Sequence, residues 1–149
     1  MVKSIARNRK AFHDYFIEER FEAGLVLVGT EIKSIRQGRV QLKEAYVSFV
    51  DGEAYIKGMH IAQYDHGNIY NHDETRDRKL LLHKREIDKI YSEARLKGYT
   101  VIPLHLYLKN GLAKLEIGLG KGKHLYDKRQ VEKERSMDRQ IRKAMKGDY

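Results

Sequence analysis

The chain has 149 residues, room for one compact domain with tails but not for two domains of ordinary size. It contains no cysteine, which excludes disulfides, thiolate metal sites and a cysteine nucleophile. Thirty Lys and Arg against 21 Asp and Glu leave a net charge of +9, so polyanions are the expected partners.

No stretch of about 18 apolar residues occurs, and no apolar run follows the basic residues Lys3, Arg7, Arg9 and Lys10. Neither a signal peptide nor a membrane span is expected, and an intracellular, cytoplasmic setting fits best. The charge is uneven: residues 121–149 hold ten basic residues against five acidic ones. That tail is electrostatically distinct from the body.

Along the body, short runs rich in Val, Ile, Tyr and Phe alternate with turn residues, the pattern of strands. Residues 15–21 read as a first strand, and 25–28 open a second after Gly24. Strands over 45–50 and 53–57 flank Asp51-Gly52, a dipeptide suited to a tight hairpin. Strands over 99–108 and 112–118 flank Asn110-Gly111 in the same way, with Pro103 marking an edge or a bulge. One helix is expected at about 84–97, where Ile87, Ile90, Tyr91 and Ala94 share a face and Gly98 is placed to end it. Residues 124–146 also have helical composition, but Met137, Ile141, Ala144 and Met145 make only a thin apolar stripe. Such a tail is expected to be disordered when free and helical on a partner. The fold class expected is mainly β, a small barrel or sandwich capped by a helix. The division expected is a domain over 1–122 and a basic tail over 123–149.

Seven histidines are present: His13, His60, His66, His72, His83, His105 and His124. None has zincin spacing, so neither a metal site nor a catalytic centre is expected and no cofactor is implied. The run Gly118-Leu119-Gly120-Lys121-Gly122-Lys123 lacks P-loop spacing and is followed by His124, so it reads as a flexible hinge whose lysines can approach phosphates. Residues 64–79 combine Tyr64, Asn68, Tyr70 and Asn71 with Arg76, Arg78 and Lys79, a mixture able to stack on bases and bind phosphates. From the residues alone, an RNA-binding adaptor, an RNA-processing enzyme and a ribosomal structural protein stay open.

Four blocks occur in order: Phe21-Glu22-Ala23-Gly24, then Gly29-Thr30-Glu31-Ile32-Lys33-Ser34-Ile35-Arg36, then Arg78-Lys79-Leu80-Leu81-Leu82, and Gly122-Lys123 leading to Asp127-Lys128-Arg129. Together they resemble the SmpB family, the bacterial SsrA-binding proteins. The resemblance implies an oligonucleotide-binding-type antiparallel β-barrel with accessory helices. It implies a non-enzymatic partner of transfer-messenger RNA that grips the tRNA-like domain and delivers it, with translation elongation factor Tu, to ribosomes stalled without a usable stop codon. The tail would then engage the small-subunit decoding centre and the empty mRNA path. No membrane or small-molecule substrate is implied.

Carried over by position, Glu22 and Leu81 match residues that bind the RNA, while His83 stands where asparagine is common. His13 and Tyr15 lie in the matching N-terminal strand. Asp127, Lys128 and Arg129 match a tail motif needed for tagging; Tyr126 replaces a histidine found in some relatives, and Met145 belongs to the tail's apolar side. Lys121 and Lys123 are expected to bind phosphates alongside Arg78 and Lys79. Glu22, an acid in a basic protein, suits an acceptor of base N–H groups rather than a phosphate contact.

Overall fold

Both glycine hairpins form where the dipeptides stand. Asp51 and Gly52 have φ of 51° and 79°, and Asn110 and Gly111 have 52° and 82°, the pair of positive angles that closes a two-residue turn without splaying its strands. The computed structural model describes residues 2–65 and 71–123. In chain order it contains β1 (Val2–Arg7), α1 (Arg9–Asp14), β2 (Tyr15–Leu25), α2 (Gly29–Arg36), β3 (Val40–Gln41), β4 (Tyr46–Val50), β5 (Glu53–Lys57), β6 (His60–Ile61), β7 (Arg78–Leu81), α3 (Lys84–Lys97), β8 (Thr100–Lys109) and β9 (Leu112–Gly122).

Seven strands form one antiparallel sheet in the order β1-β8-β9-β2-β7-β5-β4, and β3 pairs with β6 beside it. The β4 strand, at one margin, returns to within 8 Å of β8 between Cα atoms, so the sheet curls around its own inner face. This is the mainly-β architecture with accessory helices that the sequence predicts. Ile56, Leu80, Leu106, Leu115 and Ile117 fill the main core, with Ile35 of α2 and Ile90 of α3 closing it. A smaller cluster of Ala11, Ile102 and Leu104 seats α1 on β8.

The α3 helix spans the expected residues. Gly98 ends it in the left-handed conformation at φ 70°, and Ile87 and Ile90 are its buried residues. Several other expectations change. The first strand does not stop before Gly24: β2 continues to Leu25, because Gly24 and Leu25 pair with Leu81 and Leu80 of β7. Residues 26–28 therefore lie outside any strand. A Cβ on Gly24 would come within 3.2 Å of the Leu81 Cβ, so the glycine marks a close approach and not a turn. The β1 strand and the helices α1 and α2 went unanticipated. Pro103 pairs with Ile117 of β9 but lies beyond the β1 register, which ends at Arg7↔His105, and the register shift between Pro103 and His105 is the bulge expected there.

The glycine run after 117 is not a hinge. Residues 118–122 belong to β9 and pair with β2 from Tyr15↔Gly122 to Arg20↔Gly118. A Cβ on Gly118 would lie 2.8 Å from Leu104 Cδ1 and 3.1 Å from Ile17 Cγ2, so a bare backbone is what lets these side chains cross the strand. Gly118→Val is expected to destabilise the fold by about 1–3 kcal/mol, the usual cost of overpacking, measured as a lower urea midpoint at unchanged slope.

Candidate nucleic-acid interface

Strict alternation along β2 builds the interface. Phe21 and Ala23 turn towards the core while Arg20 and Glu22 stay exposed on the outer face. Glu22 stands opposite Glu116 of β9, and Gly24 stands between Lys114 of β9 and Leu81 of β7. The bare Gly24 lowers the floor between these side chains. The result is a shallow cleft of about 420 Å³ lined by Glu22, Lys79, Leu81, His83, Lys114 and Glu86, among others. Four residues singled out from the sequence thus meet at one place.

Each contributes differently. Leu81 is 52% exposed at the end of β7, a large apolar side chain facing water beside charged neighbours. Lys79 points out two residues earlier and lies 3.6 Å from Glu53. His83 is exposed and precedes α3; its main-chain N–H donates to Glu86 at 3.1 Å, while its ring makes no capping bond. Glu86 thus satisfies the helix end, and the imidazole is left for the cleft. The Glu22 carboxyl is held below its ordinary pKa, first by the hydrogen bond from the Tyr107 hydroxyl and further by Lys109 and Lys114.

Arg78 requires a correction. It was expected to reach a nucleic acid, but its side chain is wholly buried, with Nε donating to Glu31 Oε2 at 2.6 Å and Nη1 to the Met59 carbonyl. Arg76 closes on the same carboxylate at 2.7 Å. Of the basic residues between 76 and 79, only Lys79 lines the cleft. Asn68 and Tyr70 lie outside the described residues, and Tyr64 carries Lys33 over its ring at 5.3 Å.

The remaining expected contacts gather at the other end of β2. His13 is exposed in α1, not in a strand as expected, and its Nδ1 lies 2.9 Å from Asp14. Tyr15 opens β2 opposite Gly122, and Phe16 pairs with Lys121. Lys123 reaches back over the Phe16 ring at 5.0 Å and donates to the Phe12 carbonyl at 3.3 Å. Seven residues of extended chain separate Tyr15 from Glu22, roughly 23 Å at strand rise. Tyr15, Phe16 and Glu22 thus share β2, while Leu81 comes from β7 and Lys121 from β9.

Sequence reading missed Arg20, Tyr107, Lys109 and Lys114. Their signal was present: the Asn110-Gly111 turn sets the pairs Lys109↔Leu112, Tyr107↔Lys114 and His105↔Glu116, and period-2 alternation then places these polar residues on one face. Among the described residues, no group of three or more His, Cys, Asp or Glu side chains could hold a metal ion, and no helix is long and apolar enough to cross a membrane.

Residues 5–147 match the family model described as SmpB protein. The chain belongs to the SmpB family. It is 58% identical over 144 residues to an SsrA-binding protein of Bacillus cereus, covering 97% of this chain and 93% of that one. The SsrA-binding protein of Halalkalibacterium halodurans is 55% identical over 144 residues, covering 97% and 94%. A chain in the solved structure "tmRNA-SmpB: a journey to the center of the bacterial ribosome" superposes with a TM-score of 0.68 at 44% identity, over 80% of this chain and 85% of that one. SmpB membership extends past the described residues, in which Tyr126, Asp127, Lys128, Arg129 and Met145 are not included.

The buried Glu31 carries a stability prediction. Burial alone would raise its pKa, but hydrogen bonds from Arg76, the Val28 N–H and Arg78 outweigh that and hold it below the ordinary carboxylate value. A lowered folded pKa means that the stability it contributes is present above the unfolded pKa and is lost as pH falls through the folded one. Glu31→Gln, which leaves Arg78 buried without its counter-charge, is expected to cost about 3–5 kcal/mol in denaturant unfolding at pH 7 and to flatten the acid limb of the stability profile.

Proposed function

We propose that this protein is an RNA-binding adaptor that recognises the tRNA-like domain of transfer-messenger RNA and brings it to stalled ribosomes in trans-translation. The observation that carries the reading is the meeting of Glu22, Lys79, Leu81 and His83 in one cleft of a chain whose relatives are named SsrA-binding proteins. Chemically the cleft suits RNA that presents an unpaired base: an ionised carboxylate accepts base N–H groups, Leu81 offers an apolar contact, and Lys79 and Lys114 neutralise phosphates. The second group, His13, Tyr15, Lys121 and Lys123, extends the RNA contact along β2. It supplies rings for stacking and cations whose effect falls with salt.

In this reading the body over 1–122 selects the RNA. The basic tail over 123–149, with Tyr126, Asp127, Lys128, Arg129 and Met145, engages the decoding centre and the vacant mRNA path, ordering there as a helix. The working partners are the RNA, the ribosome and, during delivery, elongation factor Tu. The protein performs no catalysis and works in the cytoplasm.

Binding to labelled transfer-messenger RNA in competition with excess bulk tRNA tests the assignment. Glu22→Ala and Leu81→Ala are each expected to weaken specific binding by about 1–3 kcal/mol at unchanged melting temperature; full affinity in both variants removes the cleft from the interface. Truncation before Tyr126 is expected to preserve most RNA affinity and abolish peptide tagging on stalled ribosomes. Tagging by the truncated protein would remove the tail from the mechanism.

A further inference from the structure

Glu22 is held from a strand that does not line the cleft. Tyr107 and Lys109 lie on β8, beyond β9, and reach across the outer face to its carboxylate. The Tyr107 hydroxyl donates to Oε2, and Lys109 Nζ lies 3.6 Å from Oε1. The phenol is itself braced. Its ring centroid is 5.0 Å from that of His105, and the His105 Nε2 is 2.7 Å from the Ser4 hydroxyl on β1. Side chains of two strands, β8 and β1, therefore converge on the orientation of one exposed acid of a third.

Such bracing has a purpose only if the direction of the carboxylate matters. An exposed glutamate samples many rotamers, and one that must meet the N–H edge of a base loses that freedom on binding. Glu22 also faces Glu116 directly across the β2–β9 pair, a like-charge juxtaposition that would push it off the sheet unless something drew it back. Arg20, 3.9 Å from Glu116, offsets part of that repulsion. We propose that Tyr107 is a positioning residue for RNA recognition: its hydroxyl holds one carboxylate oxygen of Glu22 in place on the sheet, leaving the remaining acceptor positions to receive base N–H groups in the cleft.

The direction of the bond is unambiguous. Burial and then the bond to Glu22 push the Tyr107 hydroxyl above its ordinary pKa, so the phenol stays protonated and donates throughout the neutral range. In the same bond the carboxylate stays ionised, which is the form that accepts. A phosphate is a poor ligand for this arrangement, since it would meet a negative charge that cannot turn away. The inference rests on the reading of the cleft as an RNA site and adds a residue that need not touch the RNA.

A double-mutant cycle separates the two. Glu22→Ala, Tyr107→Phe and the double variant are titrated with labelled transfer-messenger RNA over excess bulk tRNA, with melting temperatures recorded for each. Tyr107→Phe is expected to lose about tenfold in affinity, the scale of one hydrogen bond to a charged group, and to add no further loss in the Glu22→Ala background. Full affinity in Tyr107→Phe overturns the positioning role. An equal loss in both backgrounds also overturns it, because Tyr107 would then contact the RNA directly. Full affinity in Glu22→Ala defeats the cleft assignment itself and the inference with it. The pH profile supplies a readout that a purely structural role would not move: binding that needs the ionised carboxylate falls as pH drops through the Glu22 pKa, and removing the phenol is expected to move that midpoint upward. An unmoved midpoint counts against the proposal.

Discussion

A single carboxylate with no exposed surface, Glu31, ties together the segments on which the cleft depends. It sits in the first turn of α2, accepts the Val28 N–H at 2.9 Å, and takes two arginines at once. Through Arg78 the same cluster reaches the Met59 carbonyl and the carbonyls of Asp73 and Glu74. A buried charge without its partners is so costly that these groups assemble together or not at all. Arg78 is also the first residue of β7, so the cluster anchors the strand whose last residue, Leu81, projects into the cleft. The exposed apolar contact is thereby aimed by an ion pair buried a few residues upstream.

On the outer face the governing problem is the opposite one, keeping acids in place on a surface proposed to meet a polyanion. Glu22 and Glu116 face each other, and each has a cation nearby, Lys109 and Arg20 respectively. Lys79 is likewise close to Glu53, and Lys89 bonds Glu19 at 2.8 Å. Of the net charge of +9, residues 121–149 hold +5, so residues 1–120 carry only +4, and many of their cations have an acid within reach. Attraction from a distance falls more heavily on the residues after 120, whereas the sheet face, in the proposed role, would discriminate by hydrogen bonds and shape.

Much of this was legible in the residues. The two turn dipeptides located both hairpins, and the 3.6-residue spacing of Ile87, Ile90, Tyr91 and Ala94 located α3, because those signals are local and nothing in the tertiary structure opposes them. The four-block resemblance brought Glu22, Leu81 and His83 forward, and the cleft contains all three. What local reasoning could not supply was burial. Nothing in the order Arg76-Asp77-Arg78-Lys79 says that alternate side chains of the coming strand face inwards onto a glutamate 47 positions earlier. The glycine run failed for a related reason: glycine permits a hinge, yet here it is required by Leu104 and Ile17 crossing a paired strand. Short helices such as α1 and α2 are set more by what they cover than by their own periodicity.

The length and pairing of β2 have a geometric consequence for recognition. This strand is bonded along most of its length to β9 and at its far end to β7, and it carries a member of one candidate contact group at each end, Tyr15 and Glu22. Because one paired strand near the middle of a sheet links the two groups, the distance between Tyr15 and Glu22 is set by its length. The strand acts as a caliper of fixed gauge. Under the proposed assignment of both groups to the RNA, a molecule of correct local chemistry but wrong span satisfies one jaw only, independent of how tightly either end holds.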